Sequence, residues 1–361
     1  MTDAAQALLP WMERAARMAL RGHGGAEPNP MVGCVILDAH GNFVAEGYHR
    51  RCGGPHAEIE ALVRAGDRAR GGTAIVTLEP CNHQGRTGPC SQALVRAGVA
   101  RVAYGCPDPN PAAAGGGQTL RAAGIDAFHL PCAGATRVTA PFLHRVRTGL
   151  PWVVAKWAES ADGRIATRPG EPRWISSERS RAMVHRERAR VDAILTGMGT
   201  VVTDNPILTV RGTRARRVPL RVVWDPRLLI TDDRALVRTA REVPVLVACT
   251  PEAFAARAAH ADALRAAGVD VRPASGLRDL LRSLAAGGAS TVLVEAGASL
   301  VGELLQDGLV NDAWVFTAPH AIGDAGPRSM APMDAAALAR LECIWNGVRG
   351  GDRVALYRFP A

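Results

Sequence analysis

Aromatic residues are scarce in this chain: Phe, Trp and Tyr make up 4% of its 361 residues. Surfaces that hold single-stranded nucleic acid interleave aromatic stacking platforms with a basic groove, and here the basic residues are scattered. The formal net charge of +9 comes almost entirely from Arg, which reads as an arginine-biased solvated surface with a few phosphate contacts. Long apolar runs are missing too; none approaches the ~20 residues that cross a bilayer. The opening M-T-D-A-A-Q-A lacks the basic and apolar regions of a secretory leader. A cytoplasmic protein with neither membrane nor nucleic acid as partner is the expectation. No G-x-G-x-x-G follows an early strand, so a Rossmann dinucleotide domain is not supported. The eight Cys have no regular spacing; in a reducing compartment that argues against a disulfide framework and for metal binding or packing.

What the chain does have is concentrated between Pro55 and Cys90. P-H-A-E at Pro55–Glu58 is followed by the strand-like T-A-I-V-T-L at Thr73–Leu78, then by E-P-C-N-H-Q-G-R-T-G-P-C at Glu79–Cys90. His56, Cys81 and Cys90 can supply one imidazole and two thiolates, all ligand types that zinc accepts. Three protein ligands leave the fourth tetrahedral position for water, as catalytic rather than structural zinc sites do. Glu58 follows His56 by two residues, close enough to handle protons without ligating. Zinc deaminases combine these parts: a His-Cys-Cys metal, an activated water and a non-ligating Glu as acid and base. H-x-E alone is a weak signal, because any amphipathic helix can carry it. The joint pattern of H-A-E, a β-branched run and P-C is specific. The second Cys follows the first by nine residues, with His83, Gly85, Arg86 and Gly88 between.

A chain of this length exceeds what one core usually serves, so two domains are expected. Ala4–Arg21 has the apolar spacing of an amphipathic helix. Met31–Leu37, Asn42–Gly47, Thr73–Leu78, Arg101–Tyr104 and Ile125–His129 read as strands. Helices are expected at His56–Ala65, near Ser91–Ala97 and at Gln118–Ala123, which gives a layered α/β unit. A linker is expected near Pro141–Pro151, where Gly149 and Pro151 are breakers. Beyond it, W-V-V-A-K-W-A reads as a strand, and Ser176 or Ser177 can cap a helix at Ser177–Arg190. Asp192–Val201 reads as a buried strand running into a Gly turn. Strands at Arg221–Trp224, Val245–Ala248, Val269–Arg272 and Thr291–Glu295 alternate with helices at Glu252–Ala266 and Leu277–Ala286. After Glu295, A-G-A-S-L-V-G-E is a Gly/Ser turn entering a helix, and the N–H groups of such a turn suit an anion. Gly297, Ala298, Ser299 and Leu300 could hold a cofactor phosphate there, although many such turns bind nothing.

Together these residues resemble the bifunctional riboflavin-biosynthesis family, in which a pyrimidine deaminase is fused to a ribosyl reductase. The segments that carry the resemblance are P-N-P-M-V-G-C-V-I at Pro28–Ile36, G-Y-H at Gly47–His49, P-H-A-E, T-L-E-P-C-N-H-Q-G-R-T-G-P-C and D-P-N-P at Asp108–Pro111. It extends over almost the whole chain, and the long loop between the two Cys is absent from nucleoside and tRNA deaminases. The resemblance implies a zinc-dependent, cytidine-deaminase-like domain at residues 1–147 and an NADPH-dependent, dihydrofolate-reductase-like domain at residues 148–361. The implied reactions are hydrolytic deamination of a 2,5-diamino-6-(ribosylamino)pyrimidinone 5′-phosphate by zinc-activated hydroxide, then reduction of its ribosyl group to ribityl.

The resemblance further implies Glu58 as the catalytic acid and base. Asn29, His49, His83, Arg86, Asp108 and Asn110 would surround the deaminase substrate; Asn29 and Asn110, taken alone beside Pro, could equally be turn residues. Ala158, Trp174, Thr200, Asp204 and the turn at Gly297–Leu300 would take the nicotinamide cofactor. Arg188, Leu208, Arg211 and Glu295 would take the ribosyl phosphate. No residue stands out as proton donor for the reduction, and Asp204 and Glu295 are candidates only. A homo-oligomer acting on small-molecule pyrimidine ribosyl phosphates is expected. The chain departs from the family's usual pattern at Pro172, Pro226 and His320. A nucleoside deaminase with an inert second half, or a zinc-structured RNA-binding module, are the competing readings.

Overall fold

In the computed structural model, residues 3–83, 88–111, 113–165, 175–323 and 338–360 are described. They fall into two compact units, Met1–Leu150 and Pro151–Ala361. The α/β class expected from the sequence holds for each.

The first unit is built on β1 (Gly33–Leu37), β2 (Phe43–Tyr48), β3 (Thr73–Val76), β4 (Arg101–Tyr104) and β5 (Asp126–His129), in the sheet order β2-β1-β3-β4-β5. Every residue of β1 is buried, and its alternating side chains feed two cores. Cys34 and Ile36 pack with Ala57, Ala61 and Leu94 on one face, while Val35 and Leu37 pack with Met12, Ala15 and Ile75 on the other. Helices therefore cover both faces. At Gly33 an added Cβ would lie 2.0 Å from the Ala15 carbonyl oxygen, so the helix Leu9–Ala19 rests directly on the strand.

Strand directions decide where function can gather. β1 is antiparallel to both β2 and β3, and β4 is parallel to β3. Consequently β2, β3 and β4 run the same way, and the segments that leave them (from His49, Thr77 and Gly105) emerge at one edge. Asn29, just ahead of β1, joins them there.

Two expectations change. The opening helix is interrupted, as Asp3–Gln6 and Leu9–Ala19, with Pro10 in the first turn of the second piece, where its missing N–H is harmless. The expected linker is instead mostly helical: Ala133–Thr148 includes Pro141 and ends at Gly149 with φ 70°. Burial of Ala135, Val138 and Thr139 offsets the bond that an interior Pro deletes.

The second unit carries nine strands: β6 (Trp152–Glu159), β7 (Ala193–Gly197), β8 (Leu220–Trp224), β9 (Val245–Cys249), β10 (Asp270–Pro273), β11 (Thr291–Glu295), β12 (Asp312–Thr317), β13 (Glu342–Arg349) and β14 (Asp352–Arg358). Their order is β10-β9-β8-β7-β11-β6-β12-β14-β13. The run from β10 to β12 is parallel, and β14 and β13 close it antiparallel. Ligands of such sheets bind outside the carboxyl ends of the strands, and β7, β11 and β6 are adjacent at the centre. Of Asp192–Val201, expected as a strand running into a Gly turn, the strand is Ala193–Gly197 and the turn is instead the start of the helix Met198–Asp204. The helix expected at Glu252–Ala266 is broken at Arg257, φ −122°. No helix among the described residues is long and apolar enough to cross a membrane.

Candidate functional site

In the first unit, His56 is the N-cap residue of the helix Ala57–Ala65, and Cys90 is the first residue of the helix Cys90–Ala97. Two helix starts thus converge on the loop that carries Cys81. His56 Nδ1 lies 3.5 Å from Cys81 Sγ and 3.3 Å from Cys90 Sγ. The three donor atoms are all within 4.8 Å of one another, the one such group among the described residues. Ordinary zinc–sulfur and zinc–nitrogen bonds at a tetrahedral angle would separate donors by about 3.5 Å, so the residues fit that ion. Their electrostatics agree. A hydrogen bond from Cys90 holds the Cys81 thiol well below its usual value, while Cys90 is pushed far up by sharing that bond and by burial. One thiol ionises at the other's expense, and a dication would relieve that competition.

Glu58 lies in the first turn of Ala57–Ala65 and is 4% exposed. It is not one of the clustered donors; its carboxyl meets the Cys90 side chain, and burial pushes it up to about 7. Beside His56, His49 is buried, with its ring edge-on to that imidazole at 5.2 Å. His49 Nδ1 is 2.9 Å from the Pro55 carbonyl oxygen, and Asn29 Nδ2 is 3.3 Å from His49 Nε2. A carbonyl only accepts, so Nδ1 carries the proton and Nε2 accepts from Asn29. The Asn29 amide is thereby oriented, with its oxygen left for a ligand donor.

Asp108 and Asn110 are held by a residue that sequence reasoning missed. Glu79 accepts from the backbone N–H of Asp108 at 3.2 Å and of Gly117 at 2.9 Å. Asp108 Oδ1 in turn accepts from Asn110 N at 2.9 Å. Burial raises the Asp108 carboxyl above its ordinary value, with the hydrogen bond from the Asn110 N–H pulling the other way. His83 is exposed, and Arg86 lies outside the described residues. The signal for Glu79 was its place directly before Pro80 and Cys81.

The second unit has its own charged cluster. Glu295 ends β11 and is in register with Lys156 on β6, the only Lys in the chain. Lys156 Nζ is 4.0 Å from Glu295 Oε2. Arg188 grips the same carboxylate with two bonds, Nε to Oε1 at 2.5 Å and Nη2 to Oε2 at 2.9 Å, and its Nη1 donates to the Thr209 carbonyl at 3.0 Å. Burial alone would raise Glu295; the Arg188 charge and fork, then Lys156, outweigh it and hold the carboxyl below its usual value. Burial lowers Lys156. The fork of Arg188, expected to face a phosphate, is thus engaged by Glu295. Arg211 Nε lies 3.4 Å from His185 Nε2, whose imidazole is depressed by burial and then by Arg188 and Arg211. Leu208, 4% exposed, has a left-handed backbone with φ 54°. Sequence reasoning missed Lys156 and His185; a lone Lys inside the apolar run of β6 was the available signal.

The expected cofactor residues share this edge. Ala158 lies near the end of β6 opposite Phe316, and Thr200 and Asp204 are on the helix that leaves β7. Gly297 caps the helix Ala298–Gln306, and an added Cβ there would meet nothing within 4 Å. The first-turn N–H groups of Ala298, Ser299 and Leu300 therefore begin beside open space, which fits a phosphate. Trp174 and Pro172 lie outside the described residues. The Pro226 carbonyl accepts from Thr250 N at 3.2 Å and that of His320 from Ala161 N at 2.9 Å, so both residues serve the backbone where they stand.

The family model of the cytidine and deoxycytidylate deaminase zinc-binding region matches residues 6–106, and that of the RibD C-terminal domain matches residues 151–348. The fold classes expected of the two halves agree with these matches. The chain is 38% identical over 342 residues to the riboflavin biosynthesis protein RibD of Actinobacillus pleuropneumoniae, covering 92% of this chain and 89% of that protein. Among solved structures, a form of Acinetobacter baumannii RibD aligns with TM-score 0.82 and 35% identity over 99% of each chain. A diaminohydroxyphosphoribosylaminopyrimidine deaminase/5-amino-6-(5-phosphoribosylamino)uracil reductase from Thermotoga maritima aligns with TM-score 0.84 and 29% identity, over 98% of this chain and 99% of that one.

Proposed function

The chain belongs to the RibD family of bifunctional deaminase–reductases of riboflavin biosynthesis, and from that premise we propose that it removes the amine from a diaminopyrimidinone ribosyl phosphate in its first unit and reduces the ribosyl group of the product with NADPH in its second. The observation that carries the reading is the His56, Cys81 and Cys90 cluster at two helix starts, with Glu58 buried beside it.

His56, Cys81 and Cys90 would hold a zinc ion, which when bound makes water a nucleophile near neutral pH. Glu58, close to the cluster without belonging to it, moves the water's proton to the departing amine, which leaves as ammonia. Asn29, aligned by His49, offers its amide oxygen to an N–H of the pyrimidine. Asp108 and Asn110, fastened by Glu79, close the pocket.

In the second unit, Gly297, Ala298, Ser299 and Leu300 would hold a cofactor phosphate, and Ala158, Thr200 and Asp204 would line the nicotinamide side. NADPH supplies the hydride when bound, and the protein orients the ribosyl carbon. Glu295, kept ionised by Arg188 and Lys156, accepts from ligand hydroxyl or amine groups. Lys156 and Arg188 against one carboxylate leave a net positive site, and Arg211 adds the charge that a phosphomonoester needs.

The test follows ammonia release and NADPH oxidation together, with zinc-loaded protein and the diaminopyrimidinone ribosyl phosphate as sole substrate. Both signals are expected. Glu58→Gln should lower ammonia release by at least about 100-fold while zinc stays bound, and should leave NADPH oxidation intact on the already deaminated substrate. Loss of zinc from that variant would contradict a non-ligating Glu58, and a wild-type protein that releases no ammonia would sink the deaminase reading.

A further inference from the structure

Arg221 lies on β8 and is 0% exposed. Its hydrogen-bond acceptors are all neutral: the Ile207 carbonyl at 3.0 Å, Thr239 Oγ1 at 2.8 Å, the Thr239 carbonyl at 3.1 Å, and the Val243 carbonyl. Its Nε has no partner. An apolar side chain would fill such a core position more favourably, because burying a guanidinium is expensive even where a carboxylate, here that of Glu242, acts on it through space. What the guanidinium provides is reach, joining to β8 the backbone of two segments, at Ile207 and at Thr239–Val243, that an aliphatic chain could not link.

One of those segments carries the reductase's ligand residues. Asn205 and Leu208 both have positive φ, 42° and 54°, and such backbone persists only where its surroundings over-determine it. Asn205 is tied by its Oδ1 to the Ala235 N–H at 2.8 Å. The two carbonyls that flank Leu208 are each held by a different arginine: Ile207 by Arg221 and Thr209 by Arg188, which is itself locked to Glu295. Leu208 and Arg211 therefore hang on a segment gripped from both sides.

We propose that Arg221 is a positioning residue of the reductase, which acts through the Ile207 carbonyl to set Leu208 and Arg211 for the phosphorylated substrate. The inference rests on the reading of residues 208–211 as the ribosyl-phosphate site. Arg221→Met should raise the KM for the deaminated ribosyl phosphate about tenfold, with kcat and the KM for NADPH changed less than about twofold. Ammonia release from the same polypeptide should not change. Arg221→Lys, whose ammonium can still bind one or two of the carbonyls, should recover part of the KM. A residue that only fills the core would lower the melting temperature and leave KM where it was, and that result overturns the proposal. Should Arg221→Met fail to fold, Thr239→Val decides: it keeps the guanidinium and deletes one acceptor, and an unchanged KM there also overturns it. Arg211→Ala separates the two layers. A raised KM in Arg211→Ala with none in the Arg221 variants defeats the positioning role alone, whereas an unchanged KM in Arg211→Ala defeats the phosphate reading beneath it.

Discussion

The imidazole of His49 is held in one tautomer from both sides: Pro55 takes the Nδ1 proton and Asn29 donates to Nε2. An amide can imitate this division, because Gln has both a donor and an acceptor on one plane. Phe cannot, and would take the partner from both the Pro55 carbonyl and the Asn29 amide. His49→Phe should therefore lower deaminase kcat/KM by about 10- to 100-fold, and His49→Gln should retain more of it, with zinc content equal in both. Zinc loss in His49→Phe would mean that His49 supports the metal rather than the substrate. At this scale the sequence was most legible where chemistry restricts residue type. His56, Cys81 and Cys90 could be expected to gather because a metal accepts few ligand types, and they do gather, with Glu58 buried in the helix that His56 caps. Lys156 and Arg221 could not be named, because what matters about them is a partner brought close by the sheet. Arg188 and Glu295, 107 residues apart, were each expected to meet the substrate, and their pairing with each other was not legible.

The helix Ala57–Ala65, which carries the proposed acid and base Glu58, must be seated, and Gly47 is its seat. A Cβ at Gly47 would lie 2.5 Å from the Ala57 carbonyl oxygen, 2.6 Å from the Ala61 nitrogen and 2.9 Å from the Glu60 Cβ. Two of these atoms are backbone, so Gly47→Ala must push the helix off β2. Overpacking of this kind costs about 1–3 kcal/mol, and here the displaced element is capped by His56 and carries Glu58. The variant should melt earlier and release ammonia more slowly, with NADPH oxidation on the deaminated substrate unchanged. Wild-type ammonia release from Gly47→Ala would show that the helix position is not critical. Elements inside the sheets were read well, β11 and the helix Leu277–Ala286 to the residue. The last three strands were not anticipated. β12 is buried almost throughout, and a short apolar run does not distinguish strand from buried helix. β13 is an edge strand with little buried surface, so it lacks the alternation that marks a half-buried strand. Its turn did carry a signal: Gly350 and Gly351 have φ of 59° and 94°, the pair of positive values that a tight hairpin requires.

At the scale of the whole chain, two chemistries are assigned to two compact units, and the division follows from where each site takes its residues. The cluster proposed to hold zinc, His56, Cys81 and Cys90, lies within residues 56–90 of the first unit. The charged cluster of Lys156, Arg188 and Glu295 and the helix start at Gly297 belong to the second, and among the described residues of that unit no group of His, Cys, Asp and Glu gathers as metal ligands do. The first unit also has two apolar cores, one on each face of β1, so its fold does not depend on the metal as that of a small zinc module does. Removing zinc should therefore separate the activities without unfolding either unit. Chelation should reduce ammonia release by at least about 100-fold, and added zinc should restore it. NADPH oxidation on the diamino substrate should fall as well, because its deaminated product is no longer made. On the already deaminated ribosyl phosphate, oxidation should continue at most of its rate. A parallel loss on that second substrate would mean that the reductase needs the metal too, and the division of labour between the units would be wrong.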